Sequence, residues 1–573
     1  MNYKQNYEKW LLDFAFDTES INELKAIIND EKEIEDRFYQ NLSFGTAGMR
    51  GILGAGINRM NLYTVAHATQ GLANYLCKQP DGKERGVAIA YDSRLMSTEF
   101  AMETALVLCA NGIKTYLFDA LRPVALLSFG MRFLNAKAGV VITASHNPPQ
   151  YNGYKVYGED GAQLGPDEAL SVTTEINALS LTQAKKISKE EAEKSGLLIM
   201  IGKEIDDEYT KRVKTLSINP DIVKEMGKDL KIVYTPLHGS GNIPVRRVLK
   251  EIGISNVSVV KEQENPDPYF STIKLPNPED PTVFKMAIEL ANKVGADVIF
   301  GTDPDCDRLG VALKESDGQF RLLTGNQIGC LMLYYILSCK QKQGTLPKNG
   351  AVCKSIVSTE LASAICKHFN VTLFNTLTGF KFIGEKIQEF EDTGSYSFLF
   401  GFEESYGYLS STFVRDKDGI NASLLIAEAA AYYLSLNKTL SNVMEEIFNT
   451  FGYYLEHVQS TTLPGLDGIK VMKEIMNKVR QNPPTQIGGI AVERVLDILT
   501  GTETVLKTGE VKQLEYPTSD VLYFAMEGGH FVCLRPSGTE PKIKLYINAN
   551  HKEKKEAEKL ITILSESAQD LLK

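Results

Sequence analysis

The chain has 573 residues, a formal net charge of −10 and a hydrophobic content of 43%. This length suggests about three to five domains, and the composition is that of an ordinary globular protein with apolar material for several cores. The acidic balance argues against broad binding to nucleic acids or anionic membranes, so an anionic substrate needs a locally basic pocket.

Three features predict a cytoplasmic protein. The eight cysteines form no Cys-x-x-Cys pair and lie mainly in apolar runs, as is typical of buried thiols in a reducing compartment. The N-terminus lacks the apolar core of a signal peptide. No uninterrupted apolar stretch reaches about 18 residues, so we expect no membrane span.

Strand-like and helical runs alternate along the first part of the chain. We predict strands at residues 86–91, 114–118 and 138–143, and a helix at 98–111. The last strand leads into Thr-Ala-Ser-His-Asn-Pro at 143–148, named here the serine turn. Open α/β sheets bind ligands at the carboxyl ends of their strands, which favours a functional hydroxyl at Ser145. Alone, such a segment is more often an ordinary turn, because Ser, Asn and Pro are common turn formers.

The same pattern recurs further along, with strands predicted at 230–235, 296–301, 350–357 and 397–401. The strand at 296–301 leads into Asp-Pro-Asp-Cys-Asp-Arg at 303–308, named here the aspartate loop. Alternate residues of an extended loop point the same way, so Asp303, Asp305 and Asp307 are predicted to converge on one hard metal ion. We interpret these repeats as three similar α/β units.

The aspartate loop does not match a calcium-binding EF-hand. Counted from Asp303, position 6 is Arg308 where that loop needs glycine, and position 12 is Lys314 where it needs glutamate. A solvated acidic loop remains the alternative to a metal site.

The region from about residue 455 onward differs from the rest. Strand signals at 491–495 and 531–534 and a charged helix at 551–572 predict an α+β unit. Its sharpest feature is Arg-Pro-Ser-Gly-Thr-Glu-Pro-Lys at 535–542. An arginine, two hydroxyls, a glycine N–H and a lysine are suited to holding a phosphate, although a solvated turn after a strand fits as well.

A serine, a divalent-metal cluster and arginines together indicate phosphoryl transfer, where catalysis is mostly positioning and charge neutralisation. No Gly-x-Ser-x-Gly elbow surrounds Ser145, so a hydrolase triad is not expected.

In order along the chain, these segments resemble the α-D-phosphohexomutases, from Phe-Gly-Thr-Ala-Gly-Met-Arg-Gly at 44–51 to the Arg535 loop. The resemblance implies three related α/β domains with mixed sheets, followed by a C-terminal α+β domain resembling TATA-binding protein, around a central cleft. The expected domains are a phosphoserine domain at 1–207, a metal-binding domain at 208–324, a sugar-binding domain at 325–445 and a phosphate-binding domain at 446–573.

The resemblance implies that Ser145 carries the phosphate, and that its oxygen joins Asp303, Asp305 and Asp307 in binding Mg²⁺. Further catalytic candidates are Arg50 and Arg308 near the phosphoserine, Lys155 and Lys417 as general acids or bases or as phosphate ligands, and His146 next to Ser145. Neighbouring side chains on a turn often diverge, which counts against a direct role for His146.

The substrate would be held by two further groups of residues, again by resemblance. Those expected on the sugar side are Thr378, Gly379, Lys381, Glu403 and Ser405. Those expected to bind the phosphate that is not reacting are Arg535, Ser537, Gly538 and Thr539.

The resemblance implies interconversion of glucose 1-phosphate and glucose 6-phosphate, with glucose 1,6-bisphosphate as intermediate and activator. Phosphomannomutase, phosphopentomutase and glucose 1,6-bisphosphate synthase remain alternatives on the same scaffold. Gly407 stands where dual-specificity phosphomannomutases often place a histidine, which argues against mannose. The non-enzyme alternative is a sugar-phosphate-binding scaffold. The expected partners are small sugar phosphates, with no nucleic acid, membrane or obligate protein partner.

Overall fold

The computed structural model describes residues 2–13, 16–45, 48–463, 468–537 and 542–573. The chain divides into two compact units. The first unit comprises residues 1–325, 383–401 and 405–439, and the second comprises 326–382, 402–404 and 440–573. The finer division into four domains at the boundaries given above stays a prediction.

Three short helices open the first unit: α1 (Tyr3–Leu12), α2 (Thr18–Ala26) and α3 (Glu31–Phe38). A side chain caps the start of each helix, because Asn2, Asp17 and Asp30 accept hydrogen bonds from backbone N–H groups of the first turn. Trp10 of α1 stacks on Phe16 at a centroid distance of 4.0 Å. These contacts form a small aromatic core of their own.

The serine turn lies in a six-stranded mixed sheet with strand order β1-β5-β4-β2-β3-β6. Strands β4, β2, β3 and β6 are parallel, and β5 is antiparallel to both β4 and β1. β2, β3 and β4 are buried at every residue, as expected for a parallel sheet covered by helices. The elements are β1 (Met49–Ile52), α4 (Leu62–Cys77), α5 (Gly82–Arg85), β2 (Val87–Tyr91), α6 (Ser97–Ala110), β3 (Thr115–Phe118), α7 (Val124–Phe133), β4 (Ala138–Ile142), β5 (Tyr151–Tyr157), α8 (Pro166–Asn177), α9 (Lys189–Lys194) and β6 (Leu198–Ile201).

The aspartate loop lies in a five-stranded sheet with order β11-β10-β9-β7-β8, in which β9, β7 and β8 are parallel. The loop joins the antiparallel pair β9 and β10, just as the serine turn joins β4 and β5. The elements are α10 (Lys203–Lys214), α11 (Pro220–Met226), β7 (Ile232–Thr235), α12 (Asn242–Ile252), β8 (Val257–Val259), α13 (Lys261–Glu264), a 3₁₀ turn (Pro281–Phe284), α14 (Lys285–Val294), β9 (Val298–Thr302), β10 (Leu309–Lys314) and β11 (Phe320–Leu322).

Successive segments of the next part of the chain belong alternately to the second and the first unit. In the second unit, β12 and β13 pair in parallel. In the first unit, α18 packs against α11 and α12, and its buried Glu428 accepts a hydrogen bond from the backbone of Ile218 at 2.6 Å. The elements are α15 (Gly325–Lys342), β12 (Gly350–Ser355), α16 (Leu361–His368), β13 (Thr372–Thr376), α17 (Lys381–Thr393), β14 (Ser397–Glu403), β15 (Gly407–Leu409), α18 (Gly419–Ser435) and α19 (Leu440–Phe451).

The C-terminal part of the second unit is an eight-stranded sheet with helices. The main strand order is β16-β23-β22-β21-β18-β19-β20, and β17 pairs with β18. The elements are β16 (Tyr453–Thr462), α20 (Gly468–Gln481), β17 (Gln486–Ile487), β18 (Ile490–Asp497), β19 (Thr502–Val505), β20 (Val511–Gln513), β21 (Leu522–Met526), a 3₁₀ turn (Glu527–Gly529), β22 (Phe531–Pro536), β23 (Lys542–His551), α21 (Lys554–Ala568) and a final 3₁₀ turn (Gln569–Leu572). The predicted α+β character is confirmed; the likeness to TATA-binding protein stays a prediction.

Across the described residues, no single helix is both long and apolar enough to cross a membrane; only α18 and α19 taken as a pair reach that length and hydropathy. Every residue of α18 from Gly419 to Tyr433 is buried within the protein.

Candidate active site

The serine turn begins where β4 ends and is fixed by hydrogen bonds within the first unit. The Thr143 hydroxyl donates to Asp92 Oδ2 at 2.6 Å and accepts from the Ser145 N–H at 2.8 Å. Ser145 adopts a left-handed φ of 52°, which is uncommon for a residue with a side chain. Its side chain is buried. A strained residue at the end of a central strand is typical of a functional site.

A buried arginine that the sequence analysis overlooked holds the turn. The Arg94 guanidinium donates to the carbonyl oxygens of Pro148 at 2.9 Å, Tyr151 at 3.0 Å and Ser145 at 2.7 Å, and also to that of Asn147. Arg94 lies three residues beyond the end of β2 (Val87–Tyr91), and β2 is the neighbour of β4 in the sheet. A charged residue at the carboxyl end of that strand was the available signal.

The Ser145 hydroxyl lies between two polar side chains. It donates to Asp303 Oδ2 at 2.9 Å and lies 3.1 Å from His146 Nδ1. The side chains of Ser145 and His146 were expected to diverge, but the structure brings them into contact. Burial, together with the guanidinium groups of Arg308 and Arg50, holds the pKa of His146 well below its ordinary value, so its ring is neutral near pH 7.

The three carboxylates of the aspartate loop converge as predicted, but not through an extended backbone. Cys306 has a left-handed φ of 51°, and its N–H donates to the Asp303 carbonyl at 3.0 Å. The loop is therefore a tight turn, and the prediction from alternating side chains reached the right cluster for the wrong reason. One oxygen of each of Asp303, Asp305 and Asp307 lies within 4.8 Å of those of the others.

The cluster has the chemistry of a metal site. Asp305 Oδ1 and Asp307 Oδ1 are buried and have no hydrogen-bond partner among the described residues. Burial and the two neighbouring carboxylates raise the pKa of Asp303 well above its ordinary value. Three buried carboxylates this close ionise together only beside compensating positive charge. Hard oxygen donors with free lone pairs suit a hard divalent cation, so the residues fit a bound metal ion.

Two lysines supply part of the positive charge. Lys155 Nζ lies 3.0 Å from Asp305 Oδ2 and 3.9 Å from Asp307 Oδ2. Burial opposes ionisation of Asp305, but the Lys155 and Lys417 ammonium groups and hydrogen bonds from Lys155 and Asp303 together hold the pKa of Asp305 below its ordinary value. Lys417 Nζ lies 3.1 Å from Asp307 Oδ2 and 3.1 Å from Asp416 Oδ1.

Asp416 is a second residue that the sequence analysis overlooked. It accepts hydrogen bonds from the Tyr157 hydroxyl at 2.8 Å and from Gln163 Nε2 at 3.0 Å. Both donors belong to the first unit, so Asp416 orients Lys417 from a fixed position. Its place directly before Lys417 in the sequence was the only signal.

The two expected arginines occupy different positions. Arg50 is exposed, and its guanidinium donates to Asn147 Oδ1 of the serine turn at 3.0 Å. Arg308 pairs with Glu279, and its backbone N–H donates to Asp303 Oδ1 at 3.1 Å. The first unit therefore brings together Ser145, His146, Lys155, Asp303, Asp305, Asp307, Arg308 and Lys417.

Most sugar-side candidates lie in the second unit. The Gly379 N–H donates to Glu403 Oε1 at 2.7 Å, so these two predicted residues are in contact. Gly379 has a φ of +122°, which a residue with a side chain rarely adopts. Lys381 Nζ lies over the Phe382 ring at 5.0 Å, and Thr378 is half-buried beside Gly379. Ser405 belongs to the first unit and is half-buried.

The predicted phosphate loop follows β22 in the second unit. Arg535 pairs across the sheet with Lys544, and the Ser537 N–H donates to the Lys542 carbonyl at 2.7 Å. Gly538 and Thr539 lie outside the described residues.

The chain matches three family models along its length. They are the phosphoglucomutase/phosphomannomutase alpha/beta/alpha domains I, II and III, at residues 41–183, 207–318 and 324–451. The chain is similar to a phosphoglucomutase of Staphylococcus aureus (strain MRSA252), with 39% identity over 529 residues that cover 92% of this chain and 93% of that protein.

Two crystal structures share the fold at low sequence identity. One is the open form of pp63/parafusin, a phosphoglucomutase from Paramecium, with a TM-score of 0.67, 18% identity, and coverage of 93% of this chain and 96% of that one. The other is a phosphoglucomutase/phosphomannomutase family protein from Burkholderia thailandensis, with a TM-score of 0.62, 16% identity, and coverage of 92% and 96%.

Proposed function

Because this chain belongs to the phosphoglucomutase/phosphomannomutase family, we propose that it interconverts glucose 1-phosphate and glucose 6-phosphate through a phosphorylated Ser145. It is an enzyme of phosphoryl transfer, as its relatives are. The observation that supports Ser145 most directly is its hydroxyl 2.9 Å from Asp303, inside a cluster of three carboxylates. A binding scaffold needs neither the serine nor that cluster.

Two transfers complete the proposed reaction. In the first, the bond between Ser145 Oγ and phosphorus breaks, and the free sugar hydroxyl forms a bond to phosphorus while it loses its proton to a base. Ser145 Oγ takes up a proton as it leaves, so the products are glucose 1,6-bisphosphate and unmodified Ser145. In the second transfer, Ser145 Oγ loses its proton to a base and forms a bond to the other phosphorus. The bond between that phosphorus and the sugar oxygen breaks, and the sugar oxygen takes up a proton. Starting from glucose 1-phosphate, the products are glucose 6-phosphate and phosphorylated Ser145. Free glucose 1,6-bisphosphate would therefore also prime unmodified enzyme, which makes it an activator.

The metal site would serve both transfers. A divalent cation held by Asp303, Asp305 and Asp307 supplies positive charge beside the transferring phosphoryl group. We propose Mg²⁺, because all three protein donors are hard carboxylate oxygens and Mg²⁺ accepts an incomplete protein shell alongside a phosphate oxygen. The Ser145 hydroxyl already contacts one of the three.

Lys155 and Lys417 are the candidates for moving the proton. Each ammonium lies within 3.1 Å of an aspartate of the cluster, and a lysine between charged groups can act as an acid or a base. Binding the transferring phosphate is the alternative role for each. His146 is a further candidate base, since its ring is neutral and lies 3.1 Å from Ser145 Oγ.

Most of the proposed substrate contacts belong to the second unit, and Ser405 belongs to the first. Glu403, held by the Gly379 N–H, and Ser405 would bind sugar hydroxyls, and Thr378 and Lys381 would complete that side. Arg535 would bind the phosphate that is not reacting, because a guanidinium holds phosphate through two parallel hydrogen bonds. Ser537, Gly538 and Thr539 would assist it.

We also propose the cytoplasm as the location and small sugar phosphates as the only obligate partners. Cys77 is exposed and the other seven cysteines are buried, and buried thiols fit a reducing compartment.

A substrate panel tests the function. Purified protein with Mg²⁺ is given glucose 1-phosphate, mannose 1-phosphate or ribose 1-phosphate, with and without glucose 1,6-bisphosphate, and products are followed by phosphorus NMR. We expect glucose 1-phosphate to have a kcat/KM about tenfold or more above the others, the scale of discrimination that a few pocket contacts provide. Faster turnover of ribose or mannose phosphate would identify a pentomutase or mannomutase instead. No turnover of any sugar, equal to that of a Ser145→Ala control, would leave the scaffold alternative.

A further inference from the structure

Gly407 lies beside the aspartate loop. It is the first residue of β15 and forms an isolated antiparallel bridge with Arg308. The neighbouring Tyr406 carbonyl accepts from the Leu309 N–H at 3.1 Å. The backbone of this short strand is therefore fixed against the chain that leaves the metal cluster.

The space above Gly407 is filled by the stem of Lys417. A Cβ atom placed on Gly407 would lie 2.1 Å from Lys417 Cδ and 2.6 Å from Lys417 Cγ, well inside van der Waals contact. Gly407 does not have a left-handed φ. The backbone conformation therefore does not itself require glycine, and the position of the lysine stem is the reason for a glycine here.

The lysine has little freedom to move away. Its ammonium lies 3.1 Å from both Asp307 Oδ2 and Asp416 Oδ1. Asp416 is itself held by Tyr157 and Gln163. With the charged end fixed between two carboxylates and only 12% of the side chain exposed, a displaced stem would pull the ammonium out of the cluster.

We propose that Gly407 is a positioning residue for Lys417: its missing side chain leaves the passage through which the lysine reaches Asp307 and Asp416. This inference rests on the proposed function, because it matters for turnover only if Lys417 acts on the substrate. Any side chain at position 407 then excludes the ammonium from the phosphoryl-transfer site without touching substrate itself.

A double-mutant cycle tests the proposal. We expect Gly407→Ala to lower kcat/KM for glucose 1-phosphate about 10²-fold, the range in which a positioned proton-transfer group contributes. In a Lys417→Ala background the same change should alter kcat/KM by no more than about twofold, because the lysine that it displaces is already gone. The decrease in melting temperature caused by Gly407→Ala should likewise be smaller in that background. If Gly407→Ala alone does not fold, the double variant should still fold.

Gly310→Ala is the matched control. The three atoms nearest to a Cβ there belong to Phe284 and Pro278, each at 2.9 Å, so its cost should be the same with and without Lys417. Equal losses from Gly407→Ala in both backgrounds, or no loss in the otherwise unchanged enzyme, would overturn the inference. Absence of turnover in the unchanged enzyme would instead count against the proposed function, so the two failures are distinguishable.

Discussion

Replacing Arg94 with lysine tests whether the hydrogen bonds of this one side chain fix the conformation of the serine turn. The guanidinium is buried with a side-chain exposure of 0% and donates to four backbone carbonyl oxygens of residues 145–151. Its geometry is planar, with donors at fixed angles, whereas lysine offers one nitrogen with three protons. Arg94→Lys therefore keeps the positive charge near Asp92. Because an ammonium has three protons for four carbonyl oxygens, at least one carbonyl loses its donor, and two lose it where the ammonium geometry is poor.

The expected cost follows from those unpaired groups. A buried carbonyl that loses its partner costs about 1–3 kcal/mol, so Arg94→Lys should lower the unfolding free energy by about 2–4 kcal/mol. Activity should fall as well, because Ser145 contributes one of the four carbonyls. A shift of about 1 Å in a reacting group can cost about 10²-fold in rate, and kcat should fall on that scale.

Urea unfolding followed by tryptophan fluorescence measures the first quantity. Trp10 is the only tryptophan in the chain, and its ring centroid lies 5.7 Å from that of Tyr63 of α4. Arg85→Lys is the control, since Arg85 is partly exposed, at 24%, and such a change should cost about 1 kcal/mol or less. An Arg94→Lys variant with unchanged stability and kcat would refute the role assigned to Arg94.

Three further predictions concern the metal, the pH dependence and the phosphate site. Excess chelator should abolish turnover and Mg²⁺ restore it, and Asp307→Asn should raise the Mg²⁺ concentration needed for half-maximal rate; full activity in chelator would contradict the metal role. Burial raises the pKa of Asp418 to about 6 from an ordinary 3.8, so its contribution to stability is full below about pH 4 and is lost as pH rises through 6. Asp418→Asn should not lose this stability. In urea unfolding from pH 4 to 7.5, the parent should therefore lose about 3 kcal/mol of unfolding free energy relative to the variant. Parallel pH profiles of the two proteins would contradict this prediction. Arg535→Ala should raise KM for glucose 1-phosphate about tenfold or more, as expected for a lost charge-assisted hydrogen bond, and should release more bisphosphate per turnover; if neither changes, Arg535 does not hold the distal phosphate.

The sheets of the first unit were predictable because their central strands are continuous apolar runs. The strands predicted at 86–91, 138–143 and 296–301 are confirmed within two residues at either end. Parallel strands covered by helices on both faces are apolar throughout. The sequence therefore predicts both these strands and the position of the serine turn at the end of one of them.

The backbone of the aspartate loop was not predictable in the same way. Asp303, Asp305 and Asp307 alternate in sequence, and alternation is compatible with an extended loop. The structure instead uses a left-handed residue, Cys306, to turn the chain. That conformation depends on neighbours far away in sequence, such as Gly419, whose N–H donates to the Cys306 carbonyl at 3.0 Å.

Arg94 and the N-terminal helices show two further reasons for missed features. The partners of Arg94 lie more than 50 residues along the chain, so no local pattern identifies them. The helices α1 to α3 have readable caps at Asn2, Asp17 and Asp30, but they are short and polar, with little apolar periodicity to mark them.

Phosphate transfer to and from Ser145 is the central claim, and a chase experiment with labelled phosphate measures it directly. Enzyme is loaded with phosphorus-labelled glucose 1,6-bisphosphate, the label is located by peptide mass spectrometry, and the labelled enzyme is mixed rapidly with glucose 1-phosphate. We predict one phosphate per chain on Ser145, passed to the sugar at a rate at least equal to kcat, and no loading of Ser145→Ala. Label on another residue, or a phosphoserine that transfers more slowly than the enzyme turns over, would contradict the mechanism.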